Sequence, residues 1–134
     1  MKRNDVNRAD TLAQVTVAFR EYEQALMAND VDTLNRLFWE DGSTVRFGVL
    51  ENLYGWQEIA DYRRTRPPAS QRRLLRTQIT TFGDDAGVAM TEYEELGAPQ
   101  VGRQTQVWVR LDGSWRIVGA HVSLPPMPGT TEQI

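Results

Sequence analysis

The sequence predicts an α+β fold, with N-terminal helices packed in a curved antiparallel sheet, and three observations carry that expectation. Leu12, Val15, Phe19, Tyr22 and Leu26 recur at steps of three or four, the period of a helix with one buried face. From Leu74 onward, four runs with strand character follow one another. Between the last two, Asp112-Gly113 is a two-residue hairpin turn signal.

Taken in order, residues 8–29 form the first helix, and Asn29-Asp30 punctuates it. A second, shorter helix follows over 30–38, capped by Asp30 or Asp32, with Val31, Leu34, Leu37 and Phe38 as its apolar stripe. "STVRFGVLENL" reads as an extended segment interrupted at Gly48. Residues 55–65 return to the helical period through Trp56, Ile59, Ala60 and Tyr62 or Arg63, and "RPP" stops the helix because proline lacks a donor and constrains its predecessor. Strands are expected over 74–82, 87–96, 101–111 and 115–124. The last ten residues, "PPMPGTTEQI", read as a loose or partner-draped tail over 125–134. No repeat or linker divides the 134 residues, so one domain over 1–134 is expected.

Composition narrows the chemistry. With no cysteine, disulfides, thiolate nucleophiles and thiolate metal sites are all excluded. One histidine argues against zinc, no acidic cluster has calcium-loop spacing, and neither glycine pattern of a phosphate loop or dinucleotide fold occurs, so no metal or cofactor is expected. A net charge of -3 gives no general attraction to nucleic acid or anionic membrane, and "RRLLR", 72–76, reads as a solvated loop entering a strand. No apolar run approaches the ~18 residues of a spanning helix, and the charged start lacks a signal-peptide core, so a cytoplasmic location is expected.

The hairpin around Asp112-Gly113 can be read in register. Leu111 faces Ser114, and walking outward sets Trp108 against Ile117, Gln106 against Gly119 and Gln104 against His121. One face then carries Gln104, Gln106, Trp108, Ile117, His121 and Ser123, and the other Thr105, Val107, Val109, Val118, Ala120 and Val122. Two largely apolar faces need two covers. The mixed face is expected to line a cavity under the long helix, and the Val/Ala face to meet a second copy of the protein in a homodimer. The competing reading leaves Gln104 and Gln106 on a solvated edge and makes His121 a core residue.

This element order, ending in W-x-I-x-x-x-H-x-S from Trp115 to Ser123, resembles the nuclear transport factor 2-like cone fold, which includes ketosteroid isomerase and SnoaL-like cyclases. The resemblance spans about residues 8–124. Within it, "LFWEDGSTVRFG", "ENLYG", "RRTRPP" and "GRQTQVWVR…WRIVGAHVS" are similar to the AtzH-like family, small proteins associated with cyanuric acid and oxalurate breakdown. "VWVRLDGSWRIVGAHVS" also resembles the association domain of calmodulin-dependent kinase II, a non-catalytic relative, so the fold alone does not determine the activity. The AtzH-like resemblance implies decarboxylating amidohydrolysis of a small carboxylated urea, 1,3-dicarboxyurea to allophanate.

A flat dianion of that kind calls for arginine, whose planar fork binds carboxylate at two points. Arg46, Arg63, Arg66 and Arg103 lie near the expected cavity elements. Arg46, between Val45 and Phe47, is preferred, although a surface arginine with apolar neighbours has the same pattern. Tyr22 shares the helical stripe of Phe19 and Leu26 and should point at the sheet. It is either a core phenol bonded to backbone or, with a neighbouring Arg46 favouring its phenolate, a proton donor and acceptor. Tyr22 and Arg46 are therefore the catalytic candidates, and His121, Gln104, Arg66 and Trp108 the substrate-binding ones. Gln104 would hydrogen-bond the urea amide groups. Glu92 and Glu94 stay outside the catalytic assignment, because an unpaired carboxylate repels a dianion. Two other readings stay open: a non-catalytic accessory or assembly protein of an associated amidase, and an isomerase or cyclase, which needs a carboxylate base in the pocket.

Overall fold

The computed structural model describes residues 1–126. After a short 3-10 turn at Arg3–Asp5 come helices α1 (Ala9–Met27), α2 (Val31–Leu37), the strands β1 (Val45–Phe47) and β2 (Asn52–Tyr54), and helix α3 (Trp56–Thr65). Four long strands follow: β3 (Arg72–Phe82), β4 (Ala86–Glu95), β5 (Val101–Leu111) and β6 (Ser114–Ser123). With β1 and β2 they form one six-stranded sheet in the order β2-β1-β6-β5-β4-β3, with β1 parallel to β6 and every other neighbour antiparallel. The helices pack on one face of this curved sheet, so the expected α+β class and the element order both hold.

Local chemistry accounts for the boundaries. Asp30 caps α2, its carboxylate accepting from the Thr33 amide at 3.2 Å. The "STVRFGVLENL" segment becomes a hairpin rather than one interrupted strand, with a tight turn over Gly48–Glu51 closed by the Gly48 amide on the Glu51 carbonyl at 2.8 Å. Asp112 (φ 51°) and Gly113 (φ 80°) both take the left-handed region that a two-residue primed turn requires. The apolar stripe of α1 buries Val15, Ala18, Phe19, Tyr22, Ala25 and Leu26 against Trp108, Ile117 and Ala89 of the sheet.

The expected hairpin register holds only next to the turn. Leu111 pairs with Ser114 and Trp108 with Ile117, but beyond them Val107 pairs with Gly119, Gln106 with Ala120, Thr105 with His121 and Gln104 with Val122. One extra residue, Val118, is accommodated in β6 as a bulge. Side chains alternate with period two, so a one-residue slip turns the rest of β6 over. Ala120 and Val122 therefore share the helix-covered face with Gln104, while Gly119 and His121 join Thr105 and Val107 on the outer face. This corrects the expected composition of both faces. The expected tail over 125–134 falls, from residue 127, outside the described residues.

Candidate functional site

A cavity of about 320 Å³ opens between α1, α3, the β1–β2 turn and the inner face of the sheet near β4 and β5. Tyr22 reaches it from α1, Arg46 from β1, Arg63 from α3, Arg66 from the residue after α3, Arg72 from β3, Tyr93 from β4 and Gln104 from β5. Four of the six sequence-derived candidates are thus brought together: Tyr22, Arg46, Arg66 and Gln104. The other two lie elsewhere. His121 is exposed on the outer face, edge-on to Phe47 at 5.6 Å, because the Val118 bulge inverts its strand. Trp108 has no solvent exposure and is a core residue, its indole N–H donating to Gln106 Oε1 at 3.0 Å. Neither lines this cavity.

Four arginines and two glutamates, Glu51 and Glu95, face the cavity, which leaves it positively biased. The arginines are not equivalent. Arg46 donates to Glu51 Oε1 at 2.8 Å and stands 5.9 Å from the centre of the Tyr62 ring. Arg72 is bound by Glu23 through Nε (3.1 Å) and Nη2, and the same Nη2 donates to Gln104 Oε1 at 3.1 Å. Burial works against the Arg72 charge, but the pairing with Glu23 outweighs it and raises the pKa. Its guanidinium lies 4.3 Å from the Tyr93 ring centre, and that ring covers Gly102, where any Cβ would fall 2.2 Å from a ring carbon. "RRLLR" is therefore not a solvated loop: its first residue begins β3 and braces the cavity wall.

Arg63 has no carboxylate. It is 5% exposed, donates through Nη1 to Asn35 Oδ1 at 2.9 Å, and lies 4.5 Å over the Phe38 ring, whose other neighbour is the Tyr22 ring at 6.3 Å. Its Nη2 is buried without a partner. Burial, opposed by the nearby Tyr22 hydroxyl and reinforced by the charges of Arg46 and Arg66, pushes the guanidinium down to about 10, so it stays cationic at neutral pH. The arginine coupled to Tyr22 is thus Arg63, whereas the sequence suggested Arg46. Gln104 is 4% exposed and its Nε2 is likewise unpartnered. An orphaned buried donor costs about 1–3 kcal/mol, an expense a bound acceptor would remove. The period of α3 carried the signal for Arg63, which lies one helical turn after buried Ile59 and on the same face. Arg72, Tyr93 and Glu51 left no such signal, because their inward direction depends on strand register and on a turn.

Glu51 and Arg46 give the site a pH dependence. Burial favours the neutral carboxyl, but the Arg46 hydrogen bond and charge prevail and hold the Glu51 pKa below its ordinary value. A depressed carboxylate pKa contributes stability that is present above the unfolded value and lost as pH falls through the folded one. The carboxylate folds back over Gly48, where a Cβ would lie 1.7 Å from its oxygen. Glu51→Gln is expected to flatten the acid limb of the Tm-against-pH profile and, by removing a negative charge beside Arg46, to tighten dianion binding roughly two- to fivefold.

Neither Glu92 nor Glu94 enters the cavity; Glu92 pairs across to Arg103 on the outer face and Glu94 binds exposed Arg73. Among the described residues, no cluster of His, Asp or Glu is placed to hold a metal, and no helix is long and apolar enough to cross a membrane.

Solved structures share this architecture. A protein with unknown function from Pectobacterium atrosepticum is 53% identical, with 94% of this chain and 99% of that chain covered and a TM-score of 0.92. A cystatin-like fold protein from Burkholderia xenovorans is 45% identical over 92% of this chain and 98% of its own, with a TM-score of 0.88. A nuclear transport factor 2-like superfamily protein from Salmonella enterica serovar Typhimurium covers 94% of this chain and 99% of its own with a TM-score of 0.74, and at 23% identity it speaks for the fold alone. No curated protein matches the chain. The AtzH-like family model, by contrast, matches residues 4–127, nearly the whole length over which the helices, the sheet and the arginine-lined cavity are built, and the chain belongs to the AtzH-like family.

Proposed function

We propose that this protein is a cofactor-free, decarboxylating amidohydrolase that converts a small carboxylated urea, 1,3-dicarboxyurea, to allophanate in the cytoplasm during cyanuric acid breakdown. The observation that carries the reading is the positively biased cavity in which a single α1 phenol, Tyr22, shares space with Arg46, Arg63 and Arg66. AtzH-like membership supports the substrate class. In the reaction, the bond between nitrogen and one terminal carboxylate breaks and its electron pair stays on nitrogen. Carbon dioxide leaves, nitrogen takes the Tyr22 phenolic proton, and the phenolate recovers a proton from water. Arg46 holds a carboxylate or the adjacent carbonyl and stabilises charge as it shifts, a contribution of about 3 kcal/mol for one well-placed donor. Arg66 and Gln104 bind the remainder of the substrate.

The test is carbon dioxide release from 1,3-dicarboxyurea by the purified protein, with Arg46→Ala as a paired measurement. Release well above background is expected, and Arg46→Ala should raise KM and lower kcat together, costing about 10²-fold in kcat/KM. Release no faster than background sinks the reading. In that event the accessory reading gains, because the outer face presents Val107 (37% exposed) and Met90 (55% exposed) beside Val45 and Phe47, a surface suited to a second copy or an associated amidase. An isomerase-type site has Glu51 as a cavity carboxylate, but its pairing with Arg46 makes it a weak base.

A further inference from the structure

Two side chains of the cavity, Arg63 and Gln104, are both at least nine-tenths buried, and each carries a nitrogen, Nη2 and Nε2, with no protein acceptor in hydrogen-bond geometry, although the Tyr22 hydroxyl stands close enough to Arg63 to support its charge. Their orientations are held by the rest of each side chain. Arg63 is locked by Asn35 on Nη1 and by Phe38 beneath its plane. Gln104 is locked by Arg72, which can only donate, so the amide oxygen must face Arg72 and the NH2 group must be the free end. Gln104 therefore turns its acceptor toward Arg72 and keeps its NH2 donor as the unpartnered end, which cannot accept from urea N–H groups. The guanidinium of Arg63 has no acceptor at all.

We propose that Arg63 and Gln104 make the cavity selective for ligands whose two ends only accept hydrogen bonds, and that they reject a ligand with a terminal amide in place of one carboxylate. The inference rests on the carboxylated-urea reading above and adds what it lacks, a means of telling substrate from product. Losing one carboxylate converts an acceptor-only end into an –NH2 end. That end is shorter and carries no acceptor oxygen, so a buried Nη2 or Nε2 is left unpaired again, which weakens product relative to substrate and favours its release. Tyr22 can act as donor or acceptor and Arg46 already has Glu51, so neither supplies this discrimination.

Glutarate and its half-amide, glutaramate, are suitable probes: both are stable, and both place three atoms between their ends, as 1,3-dicarboxyurea does. Isothermal titration of each into the full-length protein is expected to show glutarate binding roughly ten- to a hundredfold more tightly than glutaramate. Gln104→Glu keeps the oxygen that accepts from Arg72 and turns the free donor into an acceptor, so it should reverse the preference in favour of glutaramate. Arg63→Lys, which keeps the charge but loses the fork, should weaken glutarate and narrow the ratio. Arg63 is packed in the core, so its variant is expected to lose stability; the reversal in Gln104→Glu, with an unchanged Tm, is the decisive readout. Equal binding of the two probes, no binding of either, or a ratio that Gln104→Glu leaves unaltered overturns the proposal even if 1,3-dicarboxyurea is decarboxylated. Selectivity that reverses as described, with no carbon dioxide released from 1,3-dicarboxyurea, upholds the donor-only wall and removes the reaction instead.

Discussion

Replacing Tyr22 with phenylalanine is expected to lower kcat for carbon dioxide release about 10²- to 10⁴-fold, the usual span for loss of a positioned general acid. The ring should stay where it is. Tyr22 is 4% exposed, packed in the stripe of α1 and tilted against Phe38, and phenylalanine keeps every one of those contacts. Only the hydroxyl, which opens on the cavity, is removed. Binding should change far less than turnover, because the proposed reaction assigns the grip on the carboxylates to the arginines and not to the phenol. The expected signature is a collapsed kcat, a KM within a few-fold of the parent, and a Tm shifted by no more than a few degrees. Retention of most of the activity would remove Tyr22 from the chemistry and direct attention to water activated elsewhere in the cavity.

Trp108→Ala should have the largest effect on stability, about 3–5 kcal/mol. The indole has no exposed surface, is central among the buried residues that join α1 to the sheet, and satisfies its N–H on Gln106. Truncation leaves a void between helix and sheet and strands the Gln106 oxygen. Against a typical total of about 5–15 kcal/mol, that is a large share, and urea unfolding should show a midpoint far below the parent's with a similar slope. The same variant separates two roles for the tryptophan. A normal unfolding midpoint combined with weak dicarboxylate binding would return Trp108 to the binding site; a collapse of stability makes it a core residue.

The two positions illustrate how far the amino-acid order reaches. Tyr22 was readable because helical periodicity assigns direction over many residues: Val15, Phe19 and Leu26 vote together, and one irregularity cannot invert them. His121 was not, because strand direction has a period of two and rests on register; Trp108 kept its expected face and pairing with Ile117, but its depth in the core rather than on the cavity wall was set by packing. One bulged residue, Val118, was enough to send His121 outward and bring Val122 in. Arg63 fell between these cases; its helix and face were visible, but its selection over Arg46 as the partner of Tyr22 was not.

The order of residues alone was sufficient for the helices, the four long strands, the Asp112-Gly113 turn, the α+β class and the placement of Tyr22 on a buried stripe, since each depends on contacts only a few residues apart. The pairing of Arg46 with Glu51, of Arg72 with Glu23, and the solitude of Arg63 arise between segments as far as 49 residues apart in the chain. Which arginine has a carboxylate partner and which has none is decided by where the helices and turns place Glu23 and Glu51, and that placement exists only once the helix has been laid across the sheet.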